Sequence, residues 1–229
     1  LRPGESPVRW FCCSGGGADN LKTVMSRYAD VTRRLLGGLF PRYIQHLQQA
    51  RTSFRPAEVD GRPQSWRKDD RRLHTDAFPS RPTQGSRILR VFTNVNLSGE
   101  DRVWRIGEPF ENMAAKFLPF VSKPLPGSAL LLSSLRITKG IRTRYDHIML
   151  QLHDLVKSDM DYQQRVPQVT VAFPPGSTWM VFTDQALHAA VRGQYCFEQT
   201  FHLPVSAQVW PETSPLRTLE RLAGRALVP

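Results

Sequence analysis

The chain is poor in cysteine, in acidic residues and in long apolar runs. Cys12, Cys13 and Cys196 are its only cysteines, and neighbours such as the first two rarely bridge each other. So small and odd a number predicts a reducing compartment, for which we expect the cytoplasm. No apolar run approaches about 18 residues, so no transmembrane helix is predicted. The chain also lacks a charged-then-apolar leader, and we therefore expect no signal peptide.

The shortage of acidic residues gives the chain a strong positive charge. The 31 Lys and Arg residues exceed the 20 Asp and Glu residues, which leaves a formal net charge of +11. Such a balance predicts an anionic partner, which could be a nucleic acid, a membrane surface or an acidic substrate. Arginine dominates the basic residues, and this favours recognition of phosphates and carboxylates. Aromatic residues are not interleaved with basic ones on any one strand, so we expect no nucleic-acid stacking platform.

The sequence divides into a Gly-, Pro- and Ser-rich start and a longer patterned part. We expect residues 1–20 to form a flexible segment and residues 21–229 to form a single domain. Apolar periodicity and the Gly37-Gly38 break predict helices over residues 19–36, 40–50, 109–120, 128–135, 144–159 and 216–227. Alternation of β-branched and aromatic residues predicts strands over residues 51–59, 87–96, 169–173, 178–183 and 194–203.

A His-x-Asp motif is the feature around which these elements are organised. On an extended strand, residues i and i+2 point to the same face, so His74 and Asp76 can reach one point in space. His188, far downstream, would add a second imidazole. Two histidines and one carboxylate cover one face of a metal ion and are diagnostic of non-haem Fe(II) oxygenases. The alternative is that His188 is a core histidine and that Asp76 pairs with Arg71 or Arg72.

The order of these features predicts an α+β fold. Short strands with helical additions, an early His-x-Asp and a late lone histidine indicate a distorted double-stranded β-helix (jelly roll), decorated by N-terminal, central and C-terminal helices. In the predicted strand over 87–96, Arg90 shares a face with Asn94 and Asn96, which suits a polar pocket. His147 and His153 are six residues apart on a predicted helix, a spacing that predicts no second metal site.

Several long motifs resemble those of the Kdo hydroxylases. They are Arg67-Lys68-Asp69-Asp70, Leu73-His74-Thr75-Asp76-Ala77-Phe78-Pro79-Ser80-Arg81-Pro82, Ile88-Leu89-Arg90-Val91-Phe92-Thr93-Asn94-Val95-Asn96, Tyr145-Asp146-His147 through His153-Asp154, Ala172-Phe173-Pro174-Pro175-Gly176-Ser177-Thr178-Trp179 and Gln199-Thr200-Phe201-His202-Leu203-Pro204. The resemblance runs from about Leu21 to the end of the chain and leaves residues 1–20 outside.

The resemblance implies a specific reaction. Such an enzyme uses Fe(II), 2-oxoglutarate and O2 to hydroxylate C-3 of a Kdo (3-deoxy-D-manno-oct-2-ulosonic acid) sugar in Kdo2-lipid A of the lipopolysaccharide inner core. Kdo becomes Ko, with release of succinate and CO2. The implied partners are Kdo-containing lipid A and an anionic inner-membrane surface, with no nucleic acid. The implied location is cytoplasmic, peripherally on the inner membrane of a Gram-negative bacterium.

The resemblance also assigns roles to individual residues. It implies that His74, Asp76 and His188 are the iron ligands. The residues themselves, rather than the resemblance, predict the substrate contacts. The charge run enters the metal motif directly, and we expect contacts from it and from the motif that begins at Tyr145, namely Lys68, Arg71, Arg72, Tyr145 and His147.

The residue that binds the distal carboxylate of 2-oxoglutarate departs from the usual pattern. Many relatives in the wider superfamily place an Arg or Lys on the strand after the distal histidine, but here Phe197, Glu198 and Gln199 occupy that region. We expect Arg90 to bind this carboxylate through its guanidinium, with Gln199 as a neutral donor and Arg192 as the second candidate cation. From the residues alone, an oxygenase acting on a protein side chain or small molecule, and a non-catalytic cupin-like binder of anionic glycolipid, both stay open. The sequence makes no prediction of the oligomeric state.

Overall fold

A computed structural model of the chain describes residues 16–61 and 64–229. Its helices are α1 Gly16–Leu39, α2 Phe110–Phe117, α3 Ser128–Ser134, α4 Arg144–Ser158, α5 Met160–Arg165 and α6 Pro215–Ala223. Its strands are β1 Gln48–Arg55, β2 Arg87–Asn94, β3 Arg102–Ile106, β4 Val169–Phe173, β5 Thr178–Phe182, β6 His188–Arg192 and β7 Cys196–Leu203. Among these described residues, no helix combines the length and the apolar character needed to cross a membrane.

The strands form two antiparallel sheets that face each other. The first has the order β1-β7-β2-β5 and the second has the order β4-β3-β6. Trp104 of β3 joins them, because its ring lies 4.9 Å from that of Phe92 on β2 and 5.6 Å from that of Trp179 on β5. The mixture of helices with antiparallel sheets confirms the expected α+β class.

The two faces of β2 bury different kinds of side chain. Leu89 and Val91 point outward and form an apolar cluster with Leu36 of α1 and Phe201 of β7. The alternate residues, including Arg90, point inward between the sheets, where Arg90 lines a cavity. This alternation follows from the strand period of two, and it brings a charged side chain into the protein interior.

The helices α2, α4 and α6 pack together and bury the main apolar cluster, which also includes Leu73 and Leu187 beside the metal motif. Helix α4 begins at Arg144, as expected, because Thr143 and Asp146 cap it reciprocally. The Thr143 side chain accepts from the Asp146 N–H, and the Asp146 carboxylate accepts from the Thr143 N–H. The apolar side of α4, including Leu152 and Val156, is buried in the main apolar cluster.

The prediction for residues 37–50 is wrong in two respects. Helix α1 continues through Gly37 and Gly38 to Leu39, and no helix follows over residues 40–50. A glycine costs a helix about 1 kcal/mol relative to alanine, and burial of the α1 apolar face against the sheet offsets that cost. Residues 48–50 instead join β1, which pairs with β7 from Gln48 opposite His202.

The sequence did not predict three of the elements, namely strand β3, helix α5 and strand β6. The segment that contains His74 was expected to be a strand, but it forms only a single bridge, to His188. The structure describes only part of the segment that was expected to be flexible. Residues 1–15 lie outside the described residues, and residues 16–20 belong to α1.

Candidate metal centre

Backbone hydrogen bonds hold the His-x-Asp motif against two strands. The N–H of His74 donates to the carbonyl of His188, and the N–H of His188 donates to the carbonyl of His74, both at 2.9 Å. The N–H of Asp76 donates to the carbonyl of Thr183, just after β5, at 2.8 Å. The motif therefore alternates as a strand would, although it is not part of a sheet.

The side chain of Gln163 in α5 fixes the residue that precedes this motif. Its Oε1 accepts from the N–H of Leu73 at 2.7 Å, and its Nε2 donates to the carbonyl of Leu73 at 2.9 Å. Gln163 is itself buried. These two bonds satisfy buried backbone groups that no neighbouring strand could pair, and they anchor the motif to the helical layer.

The three expected ligand residues converge. One ligand atom from each of His74, Asp76 and His188 lies within 4.8 Å of the other two. Nδ1 of His74 lies 2.8 Å from the carbonyl oxygen of Arg72, and Nδ1 of His188 lies 2.8 Å from that of Ala186. A carbonyl only accepts, so Nδ1 carries the proton in each ring and the lone pair of Nε2 is available to a metal.

The charges of the three groups match those that a divalent metal requires. Burial lowers the pKa of both His74 and His188, so both rings are neutral near pH 7. Burial alone would raise the pKa of Asp76, but the Arg90 guanidinium, 3.0 Å away, holds that pKa well below its usual range. Two neutral imidazoles and one carboxylate can bind a metal without first releasing protons.

Aromatic neighbours restrain both imidazole rings. The indole of Trp104 stacks on His188 at 4.9 Å between centroids, with 21° between the planes. The ring of His153, from α4, meets His74 edge-on at 5.4 Å. Restrained rings hold their nitrogens in place before a ligand arrives, which lowers the cost of binding it. The residues present therefore fit a divalent metal ion.

A cavity of about 170 Å³ lies beside these three residues, and a chain of ion pairs crosses it. Arg90 contacts Asp76 at 3.0 Å and Glu198 at 3.1 Å. Arg55 contacts Glu198 at 2.7 Å and Asp70 at 3.1 Å. Each guanidinium in this chain is therefore shared between two carboxylates.

Arg102 is the exception among the arginines of this cavity. It is 4% exposed, and its Nη1 donates to the carbonyl of Gly193. Within the described part of the chain, no carboxylate lies within ion-pair distance of Arg102 and its Nε has no hydrogen-bond partner. Burial accordingly lowers the pKa of Arg102, although a guanidinium stays protonated. A buried, unpaired cation is costly, and an anionic ligand would relieve that cost.

The expected 2-oxoglutarate residues do not all reach this cavity. Arg90 lines it, but its two terminal nitrogens already pair with Asp76 and Glu198, and only its Nε lacks a hydrogen-bond partner. Gln199 points to the opposite face of β7, where its Oε1 accepts from Thr52 and its Nε2 donates to the carbonyl of Thr200. Arg192 is exposed at the end of β6 and does not line the cavity. These positions correct the expectation for Gln199 and Arg192, because strand alternation directs Glu198 inward and Gln199 outward.

The expected substrate residues also lie outside the cavity. Lys68 is exposed, Arg71 is bound to Asp69 at 2.9 Å, and Arg72 donates to the carbonyl of Lys157 at 2.8 Å. The two residues expected from the motif that begins at Tyr145 also lie elsewhere. Tyr145 is buried in the main apolar cluster, and His147 Nε2 lies 2.8 Å from the carbonyl oxygen of Ser122. Arg72 and His147 are held by partners that are distant in the sequence, which residue spacing does not reveal.

Other basic and aromatic residues line the cavity instead, including Arg67 and His153. Four of them were not predicted from the sequence to belong to the site, namely Arg55, Arg102, Trp104 and Lys157. The alternation Arg102-Val103-Trp104 could have indicated an inward-facing pair on a short strand. No comparable local signal marks Lys157, whose Nζ donates to the carbonyl of Arg67 at 3.0 Å.

Comparison with known proteins identifies the family. Residues 8–226 match the family model described as 3-deoxy-D-manno-oct-2-ulosonic acid (Kdo) hydroxylase. The chain belongs to the Kdo hydroxylase family. This membership confirms the expected family, and together with the solved structures described next it confirms the enzyme class, a dioxygenase.

Solved structures of Kdo hydroxylase KdoO, a non-haem Fe(II) α-ketoglutarate-dependent dioxygenase, are similar to this chain. The complex with α-ketoglutarate and Fe(III) has a TM-score of 0.90 and 54% identity, covering 93% of this chain and 74% of that one. The complex with succinate and Fe(III) has a TM-score of 0.89 and 54% identity, covering 93% and 73%. No curated protein matches the chain.

Proposed function

We propose that this Kdo hydroxylase acts at C-3 of a Kdo sugar in Kdo2-lipid A. It converts Kdo to Ko with Fe(II), 2-oxoglutarate and O2, and it releases succinate and CO2. The observation that carries the proposal is the buried set of His74, Asp76 and His188, with both Nε2 atoms free. The cavity of about 170 Å³ beside these residues, which we call the metal cavity, is lined by four arginines. The two facing antiparallel sheets support a jelly roll within a single dioxygenase domain. We extend this domain from the expected start at residue 21 back to Gly16, where helix α1 begins.

In this proposal, His74, Asp76 and His188 hold the iron. When bound, the iron supplies the oxidising chemistry that replaces a C–H bond of the sugar by C–OH at the expense of 2-oxoglutarate and O2. Arg90 orients the Asp76 carboxylate from 3.0 Å, and the carbonyls of Arg72 and Ala186 hold the two imidazole tautomers.

Arg102 is the residue we assign to the distal carboxylate of 2-oxoglutarate. Its guanidinium is buried in the same cavity as the three ligand residues and lacks a carboxylate partner among the described residues. Arg90 and Arg55 are each shared between two carboxylates already. A bound dicarboxylate would give Arg102 the counter-ion that the protein does not supply.

A second cavity, of about 410 Å³, supports an anionic sugar substrate. It shares Arg55 and Arg90 with the metal cavity, and Glu198 is its one acidic lining residue. We call it the cationic cavity, because its remaining basic residues are Arg51, Arg81, Arg136 and Lys139. The carboxylate of Kdo and the phosphates of lipid A match these cations in charge.

The same chemistry supports a peripheral position on the inner membrane of a Gram-negative bacterium. A lipid-anchored sugar is presented at an anionic surface, and a basic residue close to such a surface contributes about 1 kcal/mol to binding. The excess of Lys and Arg, with a net charge of +11, favours this association on the cytoplasmic side.

Succinate release tests the proposed function. Purified Fe(II)-loaded protein is assayed with 2-oxoglutarate, with and without Kdo-containing lipid A, alongside a His74→Ala variant. We expect strong stimulation by the acceptor and no stimulated release in the variant. Succinate release at the same rate with and without the acceptor would refute the proposed substrate. Binding of the acceptor without any succinate release would indicate a non-catalytic binder.

A further inference from the structure

The segment over residues 123–141 exposes many apolar side chains. It contains α3 and the loops on either side of it. Its exposed apolar residues have exposed fractions between 46% and 78%, and they are Leu125, Leu130, Leu131, Leu135, Ile137 and Ile141. Contiguous exposed apolar groups are uncommon on monomeric proteins and mark sites of interaction.

The apolar side chains of this segment take no part in the protein core. None of them belongs to the three apolar clusters that the described residues form. The backbone is nevertheless anchored, since the N–H of Lys139 donates to the carbonyl of Ser80 at 2.9 Å and Thr138 is buried. The fold therefore holds the segment in place while leaving its leucines in solvent.

The charge around these leucines is of one sign. No Asp or Glu occurs between Glu111 and Asp146. The basic residues of this stretch are Lys116, Lys123, Arg136, Lys139, Arg142 and Arg144. Exposed leucines combined with lysine and arginine are the features of segments that lie in the interface of an anionic bilayer.

The segment is continuous with the cationic cavity. Arg136, Ile137 and Lys139 belong to the segment and also line that cavity. Arg55 and Arg90 line both the cationic cavity and the metal cavity. A headgroup held at the segment would thus lie beside a path of cations that leads toward the three metal-binding residues.

We propose that residues 123–141 are a membrane-docking segment, which inserts its leucines among the acyl chains of an anionic bilayer. This proposal rests on the proposed function for the role of the segment, which is to bring the enzyme to a lipid-anchored sugar. Anionic phospholipid is the partner that matches both properties of the surface, since acyl chains cover the leucines and phosphates pair with the cations. A second copy of the chain fits less well, because an isologous contact would bring two cationic surfaces together.

Sedimentation with vesicles tests the segment directly. The full chain is mixed with vesicles of phosphatidylethanolamine and phosphatidylglycerol, or of phosphatidylcholine alone, and the bound fraction is measured. We expect the unchanged protein to bind the anionic vesicles. For the triple variant Leu125→Gln/Leu131→Gln/Leu135→Gln, we expect the partition coefficient to fall by a factor of at least about ten. All three side chains are exposed, so these changes leave the fold intact.

A control variant separates insertion from a general loss of apolar surface. Leu97 is 98% exposed and Val169 is 66% exposed, and both lie outside the segment. The double variant Leu97→Gln/Val169→Gln is expected to bind vesicles as the unchanged protein does. Equal binding by the triple variant and the unchanged protein would overturn the proposal. A change in oligomeric mass of the triple variant, without a change in vesicle binding, would overturn it in favour of a dimer contact.

Enzyme assays distinguish failure of this proposal from failure of the proposed function. With the acceptor in vesicles, succinate release by the triple variant is expected to fall by about the same factor as its vesicle binding. With the acceptor dispersed in detergent, release by the variant and by the unchanged protein is expected to be equal. An unchanged protein that never responds to the acceptor contradicts the proposed function, whereas equal rates on vesicles for both proteins contradict the docking segment.

Discussion

Replacement of Arg102 by methionine is expected to weaken 2-oxoglutarate binding while leaving the fold intact. A charge-assisted hydrogen bond contributes about 1.5–3 kcal/mol, and the ligand carboxylate would be left buried without a partner. A combined loss of about 3 kcal/mol raises the Kd about 150-fold. The distal carboxylate is remote from the reacting carbon, so we expect the change chiefly in KM rather than in kcat.

The stability of the metal-free protein provides a second readout with a matched control. Arg102 has no carboxylate partner among the described residues, so its replacement leaves only the Gly193 carbonyl without its donor. We expect the free energy of unfolding to fall by less than about 3 kcal/mol. Arg90 contacts Asp76 and Glu198, and its replacement by methionine leaves two buried carboxylates less compensated. We expect that change to lower the free energy of unfolding by about 3–5 kcal/mol.

The assays are titration of the metal-loaded protein with 2-oxoglutarate and chemical denaturation of the metal-free protein. A 2-oxo monocarboxylic acid of the same length tests the assignment further, because it lacks the group that Arg102 would bind. The unchanged protein should prefer 2-oxoglutarate strongly, and Arg102→Met should lose that preference. Unaltered affinity and preference in Arg102→Met, with both lost in Arg90→Met, would refute the assignment and restore Arg90 as the carboxylate partner.

Three further predictions follow from the site. His74→Ala should retain no stoichiometric divalent metal after dialysis, because two ligands remain of three; metal analysis checks this, and full occupancy would exclude His74 as a ligand. Burial raises the pKa of Glu198, but Arg55 and Arg90 outweigh it and hold that pKa below its usual range, so stability is present above its unfolded pKa and is lost as the pH falls through the lowered value. Chemical denaturation between neutral and acidic pH should therefore show that the free energy of unfolding falls less steeply with pH in Glu198→Gln than in the unchanged protein. Parallel plots of this free energy against pH would contradict this account. Lys139→Gln should raise the KM for lipid-linked acceptor about fivefold at low salt and less at high salt, and a salt-independent KM in both proteins would contradict a charge-based role.

The type of site could be predicted from the sequence because two of the three expected metal ligands lie in one short motif. The spacing of His74 and Asp76 predicts that they share a face, and the structure preserves this relation without a strand, through backbone bonds to His188 and Thr183. Alternation along β2 likewise predicted that Arg90 faces a polar interior. The long motifs sufficed to identify the family, which the match over residues 8–226 confirms.

The tertiary structure decided which residues complete the site, because long-range pairing sets that choice. The pairing of β7 with β1 and β2 turns Glu198 inward to Arg90 and Gln199 to the outer face, where Thr52 of β1 donates to it. The partners of β3 turn Arg102 and Trp104 into the cavity, on a strand too short to stand out locally. Which arginine lacks a counter-ion depends on carboxylates that come from distant parts of the chain. Sequence therefore determined the kind of chemistry, and only the packing of the two sheets and α4 determined which cations surround it.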